Sequence, residues 1–104
     1  MKLLNFYMEK NKMRTIQLQA ERMCQEKTAH EYLQEMLELP EYYGKNLDAL
    51  YDCLTSLSDV EFRIAEFEVE GQIQENLDAA YWRKVKKVFL QAEKVNKKIT
   101  VLFL

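Results

Sequence analysis

The sequence predicts an α/β fold in which a three-stranded parallel sheet is packed by helices, and three observations carry that expectation. Arg14 to Gln19 sets Ile16 and Leu18 among polar neighbours, and Val60-Glu61-Phe62-Arg63-Ile64 alternates in the same way; both show the period of a strand. Ile99-Thr100-Val101-Leu102-Phe103-Leu104 is nearly continuously apolar, the pattern of a strand covered on both faces. Helical periodicities fill the intervals between these strands, and helical crossovers favour parallel pairing. The order reads β-α-α-β-(α)-α-β.

The first strand is followed by a polar stretch that ends at Thr28. Thr28-Ala29-His30-Glu31 reads as a capping box, in which the Thr hydroxyl accepts a bond from a first-turn N–H and Glu31 reaches back to the cap. His30, the only histidine, is then an exposed first-turn residue. Tyr32, Leu33, Met36 and Leu37 supply the apolar stripe of this helix, which must stop by Leu39 because Pro40 follows. Leu39 to Gly44 is turn-rich, and one of Tyr42 and Tyr43 is expected to pack into the core with its hydroxyl reaching a partner at the surface. Asn46 is a good N-cap for a second helix from Leu47 to about Thr55. Leu47, Leu50, Cys53 and Leu54 share one face of it. Asp48 and Asp52 stack on the opposite side with Thr55 nearby, and Tyr51 sits at the margin. Glu66 to Gly71 fits either the end of the second strand or a short helical turn. A long helix from Asn76 to about Val95 carries Tyr81, Trp82, Val85, Val88, Phe89, Ala92 and Val95 on a broad apolar face with lysines opposite, and Asn96 stops it.

At 104 residues the chain holds one domain, since domains run from roughly 50 to 250 residues. Residues 1–12 read as an N-terminal extension and residues 13–104 as the domain. A hydrophobic content of 48% suffices for a packed core and excludes a disordered chain. No apolar run approaches the ~18 residues of a membrane span. The start of the chain lacks the long apolar centre and small-residue cleavage site of a signal peptide, so a cytoplasmic location is expected. In that compartment Cys24 and Cys53 read as ordinary thiols, with Cys53 buried by its helical pattern. A single histidine builds no zinc site, and neither a cofactor nor a metal is expected. Cys24 with His30 is the sole arrangement available to an enzyme, and no glycine-rich loop or nucleophile elbow accompanies it, so the chain reads as a non-enzyme.

The formal net charge is −2, but it is unevenly spread. From Glu41 to Asp78 ten acids face two bases, and from Ala79 to Leu104 seven bases face Glu93 alone. Such asymmetry suits an acidic face that steers a basic partner. The lysines of the last helix read first as a solvated face. Their rival reading is phosphate contact with a nucleic acid, which the neighbouring acids would repel.

Leu39 to Thr55, L-P-E-Y-Y-G-K-N-L-D-A-L-Y-D-C-L-T, closely resembles the barstar family of intracellular inhibitors of the ribonuclease barnase. The resemblance extends more loosely to the element order and to the closing V-F-x-x-A helix and I-T-V-L-F strand, and so spans roughly residues 13 to 104. It implies a barstar-like fold and an inhibitor whose second helix and preceding loop plug a secreted ribonuclease, forming a 1:1 complex as a monomer, without nucleic acid or membrane. By resemblance Asp52 mimics a phosphate and accepts bonds from the enzyme's arginine, and Asp48 reinforces the field. Tyr42 and Tyr43 pack over the cleft, Gly44 allows close backbone approach, and Asn46 both caps the helix and reaches the partner. Tyr51 stands where the family has tryptophan and Thr55 completes the face. Gln91 and Val95 stand where the family's last helix has two contacting glutamates, so the target need not be strongly basic there. An immunity protein against a toxin other than a ribonuclease, on the same scaffold, is the alternative.

Overall fold

The computed structural model describes residues 14–66 and 79–104. They form β1 (Arg14–Gln19), a 3-10 turn (Ala20–Met23), α1 (Glu26–Met36), α2 (Leu47–Ser56), β2 (Val60–Ala65), α3 (Ala80–Val95) and β3 (Ile99–Phe103). The three strands make one parallel sheet in the order β1-β2-β3, as the sequence predicts. The expected extension at 1–12, the ambiguity beyond Glu66 and the helix start at Asn76 lie outside the described residues.

The register aligns Ile16 with Phe62 and Val101, and these three face the helices. Phe62 meets Phe89 of α3 edge-on, with ring centroids 5.1 Å apart, and both are fully buried. An edge-to-face pair of this kind adds about 1 kcal/mol to the area it buries. Leu18, Met23, Leu33, Leu50, Leu54, Ile64 and Val85 complete the centre of the core. The next register row, Gln17–Arg63–Leu102, points away from it, and all three residues are exposed. The expectation that β3 is covered on both faces is therefore corrected. Thr100, Leu102 and Leu104 stand on the open side, Leu104 with 71% of its surface exposed, while Ile99 and Val101 are buried. A continuous apolar run does not reveal whether a second layer exists to cover it.

Both outer strands have a free-edge N–H held by a side chain. The Tyr32 hydroxyl accepts from the Gln19 N–H at 2.9 Å on β1, and Glu93 Oε2 accepts from the Val101 N–H at 2.8 Å on β3.

The predicted capping box does not form. The α1 helix starts at Glu26, two residues before Thr28, whose hydroxyl donates to the Gln25 carbonyl at 3.3 Å from inside the first turn. Ala20 and Met23 of the 3-10 turn are fully buried, so the chain is already folded against the core when it enters α1. At the far end the Leu39 N–H bonds the Gln34 carbonyl and the Glu38 N–H bonds the Glu35 carbonyl, with Glu38 left-handed at φ 56°. This is a Schellman ending with glutamate in the place glycine usually takes. Met36, assigned to the apolar stripe, is 37% exposed. No helix among the described residues is long and apolar enough to cross a membrane.

Candidate functional site

The site is built on α2 and the loop before it. The Asn46 side chain accepts from the Ala49 N–H at 2.7 Å, the N-cap bond that the sequence predicts, and its amide donates to the Gly44 carbonyl at 3.2 Å. Lys45, between them, is left-handed at φ 55°. A Cβ on Gly44 would stand 3.2 Å from the Ala49 Cβ and 3.3 Å from Asn46 Nδ2. The loop is thus folded closely onto the first turn of α2, and the missing side chain of Gly44 leaves room for the chain's own helix.

Leu50 and Leu54 are fully buried, which turns Asp48 and Asp52 outward on successive turns, about 6 Å apart along the axis. Both are exposed, and neither forms an ion pair among the described residues. Tyr51 and Thr55 lie half-buried at one margin. The Thr55 hydroxyl donates back into its own helix, to the Tyr51 carbonyl at 2.9 Å or the Asp52 carbonyl at 3.1 Å. Cys53, expected to be buried, is half-buried; burial and then the neighbouring Asp52 push its thiol pKa up, which keeps it protonated and unreactive. Cys24 is buried, and its thiol donates to the Ala20 carbonyl at 3.7 Å.

Of the two tyrosines, Tyr42 is 89% exposed and Tyr43 is buried. The Tyr43 hydroxyl does not return to the surface as expected. It lies 2.7 Å from His30 Nδ1, and the Tyr81 hydroxyl meets Nε2 of the same ring. His30, predicted to be exposed, is therefore completely buried. Burial lowers its pKa, with Glu26 opposing in part, so the ring is neutral at pH 7. A neutral imidazole has one N–H and one bare nitrogen, so one tyrosine donates to it and the other accepts. Burial raises the pKa of both phenols and keeps each hydroxyl available as a donor. The signal for this position was present in the spacing: His30, Leu33 and Leu37 recur at i, i+3 and i+7 on one face of α1.

A second clamp holds the other end of α2. Asn96, read from sequence only as a helix stop, donates from Nδ2 to the carbonyls of Leu54 at 3.0 Å and Leu57 at 2.8 Å, while its Oδ1 accepts from the Lys98 N–H. Helices α2 and α3 are thereby pinned side by side, the Tyr43–His30–Tyr81 chain at one end and Asn96 at the other. Gln91 is exposed on α3. The structure gathers Tyr42, Gly44, Asp48 and Asp52 along the loop and outer face of α2. It sets Tyr43 beneath them and Gln91 on the neighbouring helix. Among the described residues no group of three or more His, Cys, Asp or Glu could hold a metal ion.

Comparison with known proteins meets this geometry. The family model described as Barstar (barnase inhibitor) matches residues 13–104. A curated protein of Bacillus subtilis (strain 168), named "Putative ribonuclease inhibitor YrdF", is 55% identical over 31 residues, 30% of this chain. The match spans 34% of that relative's own length. With the family model covering the sheet, the three described helices and the acidic face of α2, the chain belongs to the barstar family.

Proposed function

We propose that this chain is a protein inhibitor that binds a ribonuclease and occludes its active site with α2 and the loop from Pro40 to Asn46. The observation that carries the reading is the outer face of α2, where Asp48 and Asp52 stand exposed with no ion-pair partner among the described residues, after a loop that carries the almost fully exposed Tyr42. Like charges four residues apart cost an isolated helix a few tenths of a kcal/mol. The helix dipole favours Asp48 in the first turn of α2, but Asp52 lies beyond that turn and has no ion-pair partner among the described residues, which a cationic partner would supply.

A ribonuclease holds RNA phosphate with cationic side chains. A carboxylate fixed on a rigid helix substitutes for the phosphate and accepts charge-assisted, bidentate bonds from arginine. Asp52 takes this role, with Asp48 one turn earlier deepening the negative field that speeds encounter. Tyr42 and Tyr51 offer aromatic surface at small entropic cost, the kind of residue that dominates interfaces. Because the scaffold is clamped at both ends of α2, little ordering remains to be done on binding. The inhibitor works by occupancy in a 1:1 complex and performs no chemistry of its own. In the producing cell it would act in the cytoplasm as the immunity partner of a secreted ribonuclease toxin.

The test is a capture experiment on the secreted fraction of the producing organism, with the wild-type chain and the Asp48→Ala, Asp52→Ala double variant as baits. A ribonuclease held and inhibited by the wild type alone supports the reading. Capture of the same partner by both baits, or of no nuclease by either, rejects α2 as the inhibitory face. A captured toxin without ribonuclease activity moves the function to that toxin's chemistry.

A further inference from the structure

The α3 helix lies beside the acidic face of α2 and carries the opposite charge. Tyr81 meets His30 of α1, whose other ring nitrogen meets Tyr43 in the loop before α2, and Asn96 bonds the end of α2; helical spacing from Tyr81 sets Lys84, Val88, Gln91 and Val95 along the same margin of α3. Val88 is buried, whereas Lys84, Gln91 and Val95 are exposed, Val95 at 65%. The strip just outside them adds Lys87 and Lys94. No acid occupies the exposed part of α3; its one carboxylate, Glu93, bonds the Val101 N–H instead. None of Lys84, Lys87 and Lys94 forms an ion pair among the described residues. Neighbouring helix axes lie about 8–10 Å apart, and the Debye length at physiological salt is about 8 Å. The negative field over α2 and the positive field over α3 are therefore felt separately by a partner lying across both.

We propose that the partner's binding surface is bipartite: cationic where it covers α2, acidic with an apolar contact for Val95 where it covers α3. This rests on the inhibitor reading above and specifies its target. A ribonuclease cationic across its whole face gains at Asp48 and Asp52 and is repelled at Lys84, Lys87 and Lys94, so α3 selects among ribonucleases that α2 alone would accept.

The experiment uses the full chain and a variant with Lys84→Glu, Lys87→Glu and Lys94→Glu, all at exposed positions, titrated in parallel against two enzymes. One is barnase, the enzyme in the family's description; the other is the ribonuclease captured by the wild-type bait. The triple reversal should weaken inhibition of the captured enzyme at least tenfold, and the loss should shrink in high salt. The milder Lys84→Gln variant should show a smaller loss in the same direction. Against barnase the triple reversal should bind at least as well as wild type. Unchanged or tighter inhibition of the captured enzyme overturns the proposal. So does equal weakening against both enzymes. Asp52→Ala separates the two levels: if it leaves inhibition of the captured enzyme intact, the α2 reading fails, whatever α3 does.

Discussion

The Nδ1 atom of His30 lies 2.7 Å from the Tyr43 hydroxyl, although the two are thirteen positions apart in the chain, and this bond ties the loop before α2 to α1. Tyr81 holds the other ring nitrogen. One neutral imidazole thus joins α1, the loop before α2 and the first turn of α3, with no unsatisfied side-chain polar atom among the described buried groups.

Acid should weaken the fold through this residue. The His30 pKa is lowered in the folded chain from an ordinary value near 6.5, so the unfolded chain binds the proton more readily. The contribution is fully present above about pH 6.5 and is lost as the pH falls through the lowered value. Urea midpoints measured between pH 8 and pH 5 should decline in wild type and decline less in His30→Gln. Parallel curves for the two proteins would assign the acid sensitivity to other groups.

Removing one hydroxyl of the chain should also be costly. Tyr43→Phe keeps the ring volume but takes a partner from a fully buried nitrogen, a loss of about 1–3 kcal/mol. Thermal or denaturant unfolding would register it, and a change within error would mean that water replaces the hydroxyl.

Asn96→Ala should cost a similar amount, about 1–3 kcal/mol, since it leaves the Leu57 carbonyl and the Lys98 N–H without their Asn96 partner and the Leu54 carbonyl with only the long bond from the Leu57 N–H at 3.4 Å. Its effect should extend to α2: amide exchange in the last turn of that helix should accelerate more than exchange in α1. Uniform acceleration would indicate loss of global stability alone.

Glu38→Gly should stabilise the chain by about 0.5 kcal/mol, because the left-handed backbone at φ 56° strains any residue with a Cβ and suits glycine. A lower unfolding midpoint would show that the extra freedom of glycine in the unfolded chain outweighs the relief.

Glu93→Ala exposes the Val101 N–H on the edge of β3, where Glu93 Oε2 now accepts it at 2.8 Å. An uncovered parallel edge next to exposed Leu102 and Leu104 is a template for another strand. Light scattering at raised concentration should report faster self-association than in wild type, and equal rates would make the cap irrelevant to solubility.

Features that depend on neighbours in the chain were legible in the residues alone. The alternation through Ile16 and Leu18 and through Val60, Phe62 and Ile64 placed two strands. The Asn46 cap and the Leu50–Leu54 face turned Asp48 and Asp52 outward. The seventeen-residue run from Leu39 to Thr55 identified the family. These signals are local because capping bonds and helical or strand periodicity act within a turn or two. The packed fold was needed to show which side of β3 is open, which tyrosine goes inside, and which partners make the burial of His30 tolerable. It also showed that Asn96 locks one helix to another. The contacts of His30 and Asn96 join atoms 13 to 51 residues apart in the chain. A polar side chain becomes tolerable in a core only when distant partners satisfy it, and no local pattern encodes where those partners will stand.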